Sequence, residues 1–78
     1  MKRLLVLGMG CAKCDRLEEM TRKAAEELGI EFTLEKVADI KKIMSYGVPM
    51  TPALLVDGEA KIVGRVPGFE ELKKILSD

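Results

Sequence analysis

Histidine, asparagine, glutamine and tryptophan are all missing from this 78-residue chain, and cysteine occurs only twice. Tetrahedral structural zinc needs four ligands. Two thiolates without an imidazole do not provide them, so such a site would require a dimer. Aromatic residues amount to 4% of the sequence, so the core must be built from aliphatic side chains. Leu, Val, Ile and Met supply them within an apolar fraction of 47%. An excess of one charge is lacking too: 13 basic residues face 13 acidic ones with no run of like sign. That balance disfavours nucleic acid and membrane surfaces as partners. Behind Met1-Lys2-Arg3, the apolar run Leu4 to Leu7 is far too short for a signal-peptide core or a membrane span. A cytoplasmic location is therefore expected. The absence of Asn, Gln and His beside plentiful Lys and Glu is a bias shared with hyperthermophile proteins, although five Met residues pull the other way.

At this length the chain is expected to form one domain spanning residues 1–78. No repeat or low-complexity segment interrupts it. Arg3 to Leu7, closed by Gly8, suits a strand buried on both faces. From Cys14 the period becomes helical: Leu17, Met20, Thr21, Ala24 and Leu28 recur every three or four residues, with Glu18/Arg22 and Glu19/Lys23 as i,i+4 pairs outside. Gly29 ends that helix as a left-handed cap. Ile30, Phe32, Leu34 and Val37 nearly alternate with Glu31, Glu35 and Lys36, which predicts a second strand with one wet face. Asp39 can cap a short helix that turns Ile40, Ile43 and Met44 inward and stops at Gly47 and Pro49. Ala53 to Val56, Asp57-Gly58 and Ala60 to Val63 form a hairpin, because Asp-Gly accepts the positive φ angles of a two-residue turn. Phe69, Leu72, Ile75 and Leu76 mark a last helix. The order is βαβαββα. Two early strands joined through a helix run parallel with a right-handed crossover, and the hairpin adds antiparallel strands. An α/β fold with a four-stranded mixed sheet and helices on both faces is expected.

The stretch G-M-G-C-A-K-C holds both cysteines, three residues apart. In a reducing compartment such a pair is more often catalytic or metal-binding than structural. A staple would contribute little, since closing so small a ring is worth about 2 kcal/mol before strain. Cβ atoms three apart on a helix are about 5 to 6 Å from one another, whereas a disulfide wants about 3.8 Å. Bridging is therefore easiest with Cys11 at a non-helical cap, where the loop meets the helix. Gly8 and Gly10 let the approach loop bend. First-turn N–H groups facing the Cys11 sulfur favour its thiolate, and Lys13 adds a cation. Cys11 is accordingly expected to attack a disulfide and Cys14 to resolve the adduct.

C-A-K-C after a first strand, followed by helix, strand, helix and M-T-P-A-L-L-V-D-G from Met50 to Gly58, resembles the thioredoxin superfamily. The closest likeness is to small prokaryotic redox-active disulfide proteins of glutaredoxin dimensions, and it covers nearly the whole chain. The resemblance implies a thioredoxin fold and a monomer that reduces protein disulfides with no bound cofactor, drawing electrons from a reductase or a small thiol. It implies that Pro52 is a cis-proline facing the cysteines, that Thr51 offers backbone groups to an extended substrate, and that Met9 and Gly10 border the same site. There are departures. Gly10 precedes Cys11 where thioredoxins usually carry Trp, and Leu4 to Leu7 contains none of the acid found on the neighbouring strand in that family. Gly64-Arg65 stands where glutaredoxins have Gly-Gly. Arg65 is then either a solvated surface residue or a group that neutralises an acidic partner.

Two other readings use the same residues. G-M-G-C-A-K-C also resembles the G-M-T-C-x-x-C loop of heavy-metal-associated domains, in which two thiolates hold a soft ion such as Cu(I). That domain runs βαββαβ and ends on a strand. A binding module with idle cysteines is the third reading; there Met9, Val48 and Met50 form an apolar platform, with Val48 expected to pack and Met9 to be exposed.

Overall fold

In a computed structural model, which describes residues 1–9 and 12–77, Lys2–Leu7 forms β1, and its residues Leu4 to Leu7 are buried in succession. Neighbours on both edges and helices over both faces leave this strand no wet side, hence its unbroken apolar run. It pairs in parallel with β2 (Phe32–Val37) and antiparallel with β3 (Ala53–Val56). β3 pairs antiparallel with β4 (Glu59–Val63), giving the sheet order β2-β1-β3-β4. The helices are α1 (Ala12–Leu28), α2 (Ile40–Ser45) and α3 (Phe69–Ser77). The order is βαβαββα, as the sequence predicts, and not the βαββαβ of a heavy-metal-associated domain.

Alternation in β1 divides the interior. Leu4 and Val6 join Leu17, Ala24, Leu54, Leu72 and Leu76 beneath α1 and α3. Leu5 and Leu7 join Val37, Ile43, Val48 and Leu55 on the opposite side. Each fully buried aliphatic side chain of this size stabilises by about 1.5–3 kcal/mol of transfer free energy. On α1 the buried residues Cys14, Leu17, Thr21, Ala24 and Ala25 follow the helical period. The Thr21 hydroxyl donates to the Leu17 carbonyl at 2.7 Å, which makes its burial tolerable. Gly29, at φ +69°, terminates the helix. Lys73 of α3 reaches Glu27 of α1 at 2.8 Å and so links the two helices.

α2 departs from expectation. Its Asp39 cap accepts from the Lys41 amide at 2.9 Å, but only Ile43 of the helix is buried, while Ile40 and Met44 are 55% and 70% exposed. Six residues make fewer than two turns, and Ile43 with Val37 and Val48 already covers Leu5, Leu7 and Leu55. Ile43 alone thus represents α2 in that cluster. The hairpin turns on Asp57 and Gly58, with φ of +52° and +85°. Asp57 also fastens the turn to β1: its carboxylate accepts from the Arg3 amide at 2.9 Å, and its amide donates to the Arg3 carbonyl at 2.8 Å. Between Leu54↔Ile62 and Leu55↔Ala60 the register slips, leaving Lys61 as the extra residue of a bulge.

Candidate functional site

Where β1 ends, the Gly8 amide donates to the Val37 carbonyl at 2.9 Å. A Cβ placed on Gly8 would lie 2.1 Å from Cys14 Sγ and 2.7 Å from its Cβ. The cysteine side chain therefore rests directly on the glycine backbone. Gly8 is required here for having no side chain, a different need from the loop freedom that the sequence suggests. Cys14 belongs to the first turn of α1 and is fully buried. Leu7 pairs with Ala53 as the last pair of the β1–β3 ladder, so Gly8 leaves the sheet and Pro52 enters it at the same end. The Thr51–Pro52 bond is cis. Pro52 is buried, and its carbonyl accepts from the Gly64 amide at 2.8 Å, while Thr51 is exposed. Gly8 with the Cys14 sulfur on it and the cis-bonded Pro52 thus both border the C-terminal end of β1. The sequence expectations for Cys11 and Gly10 lie outside the described residues. Lys13 is exposed on the first turn of α1.

Beside this end of the sheet, Met9, Ile40, Met44, Val48, Met50 and Thr51 line a groove of about 190 Å³. Val48 packs inward and Met9 is 56% exposed, both as expected. The outward turn of Ile40 and Met44 makes the groove more apolar than the sequence suggests. Contiguous exposed apolar surface of this kind is where a partner chain gains most by covering it.

The electrostatics hold a feature that sequence reasoning missed. Phe32 and Leu34 pack towards the α1 side of the sheet, and strict alternation carries Lys36 onto that same face rather than the wet one. Its Nζ pairs with the Asp15 carboxylate, one residue past Cys14. The Lys36 ammonium is held above its ordinary pKa, chiefly by the hydrogen bond to Asp15; partial burial opposes this, and the charges of Asp15, Glu18 and Cys14 add to it. The spacing 32, 34, 36 was the available signal. Arg65, for its part, neutralises an acid of its own chain: its guanidinium donates to both Glu71 oxygens, at 3.0 and 2.5 Å.

Residues 2–77 match the family model described as a thioredoxin domain. A thioredoxin of Methanothermobacter thermautotrophicus is 47% identical over 77 residues, covering 99% of this chain and 100% of the relative. A thioredoxin of Methanocaldococcus jannaschii is 38% identical over 71 residues, covering 91% and 81%. Among solved structures, a single-substitution mutant of a thioredoxin from Halobacterium salinarum superposes with a TM-score of 0.73 at 24% identity, over 97% of this chain and 72% of that one. That last likeness shows a shared thioredoxin fold.

Proposed function

The chain belongs to the thioredoxin family, and from that premise we propose that it reduces protein disulfides by cycling a Cys11–Cys14 couple in the cytoplasm. The observation that carries this reading is the seat of Cys14. Its sulfur is buried against Gly8, where β1 leaves the sheet, at the start of a 17-residue helix. Cys11 directly precedes Ala12, the first residue of that helix, a chain position at which first-turn N–H groups and the helix dipole favour an anion.

The Cys11 thiolate attacks one sulfur of a substrate disulfide. A Cys11–substrate bond forms, the substrate S–S bond breaks, and the departing sulfur takes up a proton as a thiol. Cys14 then loses its proton and attacks Cys11 Sγ. The Cys11–Cys14 disulfide forms and the second substrate sulfur leaves as a thiol. Two electrons have passed to the substrate, and a reductase or small thiol restores the dithiol. Thr51 and Pro52 receive the extended segment on one side, Met9 and Gly10 border it on the other, and Lys13 supplies a cation near the attacking sulfur. The protein works as a monomer.

Reduction of a disulfide protein with dithiothreitol as donor tests this. Wild type should accelerate the reaction well beyond dithiothreitol alone, and Cys14→Ser should accumulate adducts through Cys11. Equal trapping by Cys11→Ser would exchange the two roles. Wild type no faster than dithiothreitol would remove the proposal.

A further inference from the structure

Reduction as proposed above asks a fully buried sulfur, that of Cys14, to become an anion before it can attack. Burial disfavours that charge, so something fixed must offset it. The end of β1 next to Cys14 offers nothing, since Leu4 to Leu7 and Gly8 carry no ionisable group, and neither does the segment from Val48 to Pro52; the cations of this strand, Lys2 and Arg3, stand at its opposite end. On α1, Lys13 and Arg16 are exposed, and Asp15 and Glu18 are acids, which repel a thiolate. The charges of α3 are largely engaged elsewhere, Lys73 with Glu27 and Glu71 with Arg65. β2 contributes Lys36.

We propose that Lys36, anchored by Asp15, is a positioning residue whose ammonium supplies the counter-charge for the Cys14 thiolate during resolution of the mixed disulfide. This rests on the oxidoreductase reading. Three placements support it. Lys36 pairs with Val6 in the β1–β2 register, on the sheet face that α1 covers. The next residue, Val37, accepts the amide of Gly8, the glycine on which the Cys14 sulfur rests. Asp15 follows Cys14 directly and draws the lysine's Nζ to the first turn of α1. The Lys36 side chain is only 24% exposed, against 63% for Asp15, so its charge is screened less by water than that of a free surface lysine. Cys14 in turn is among the groups that hold the ammonium in its charged form, and an attraction between two charges acts on both.

The step balances without a further reagent. Cys14 gives up its proton and its sulfur bonds to Cys11 Sγ. The Cys11–substrate bond breaks with its electron pair on the substrate sulfur, which ends as a thiol. Lys36 keeps its proton throughout.

The two stages separate with 5,5′-dithiobis(2-nitrobenzoate): Cys11 releases a first thionitrobenzoate, and attack by Cys14 releases a second. In Lys36→Met the second release should have a pH midpoint about one unit or more higher, slowing it roughly tenfold at neutrality. The first release should not change, and Lys36→Arg should restore the second. Lys36→Gln serves as the alternative if the Met variant does not fold. An unshifted second midpoint in a folded Met or Gln variant overturns the proposal. Failure of the underlying reading looks different, because wild type itself would then show no second release.

Discussion

The sulfur of Cys14 occupies the space in which a side chain at Gly8 would begin, 2.1 Å from where that Cβ would stand. The head of α1 is thereby seated on the end of β1 through a side chain against a bare backbone, and the cysteine is fully buried there.

Gly8→Ala should consequently push α1 away from β1. Overpacking of this kind typically costs about 1–3 kcal/mol, readable as a lowered urea midpoint of the reduced protein. Reduction of a disulfide substrate should fall with it. Cys14→Ala in the same chain should relieve only part of the loss, since Cys14 Cβ itself lies 2.7 Å from the new atom. A Gly8→Ala protein as stable as wild type would show that the contact yields freely.

On α2, inward and outward residues should separate stability from activity. Ile43→Ala removes the only buried side chain of that helix and should destabilise by about 2–4 kcal/mol. Ile40→Ser and Met44→Ser touch exposed positions and should change stability by less than about 0.5 kcal/mol. Both serine variants should instead raise KM for a protein disulfide. An unchanged KM would mean that substrates do not use the groove.

Gly64 holds φ +75° and has Met50 3.2 Å from where its Cβ would sit. Gly64→Ala should cost about 1–2 kcal/mol for the left-handed conformation alone. It should also loosen the bond from the Gly64 amide to the Pro52 carbonyl. Thermal unfolding checks the loss, and adding Met50→Ala should leave most of it, because the φ penalty is independent of that neighbour.

The Arg65–Glu71 pair has a pH signature of defined sign. The guanidinium's hydrogen bonds are the main reason the Glu71 carboxyl is held below its ordinary value of 4.5; partial burial opposes them, and the cation's charge and a Gly68 backbone contact assist. A carboxyl lowered on folding stabilises the native state above its unfolded pKa and loses that contribution as pH falls through the folded one. Wild type should therefore exceed Arg65→Ala in urea resistance at pH 7, and the gap should close towards pH 3. A gap that widens on acidification would contradict the pairing.

Much of the architecture could be read along the chain because its cues are local. The unbroken apolar run of Leu4 to Leu7, Gly29 after a helical period and Asp57-Gly58 between two short strands each constrain the backbone where they stand. The same holds for Cys11 and Cys14, whose spacing alone points to sulfur chemistry. Ile40 and Met44 escaped such reasoning, since helical period names candidates for burial without revealing how much sheet lies beneath a six-residue helix. Lys36 escaped because its charge argued for water while its place after Phe32 and Leu34 argued for the α1 face.

By itself, then, the sequence determined the element order, the turns and the presence of a cysteine pair at the head of a helix, because dihedral preference and periodicity act over a few neighbouring residues. Only the tertiary structure decided that Gly8 carries the Cys14 sulfur, that Pro52 follows a cis bond at the same end of the sheet, that Arg65 answers Glu71 and that Lys36 meets Asp15 beside the buried thiol. Those relations depend on strand register and on how far each helix covers the sheet, which are settled when separate segments pack together.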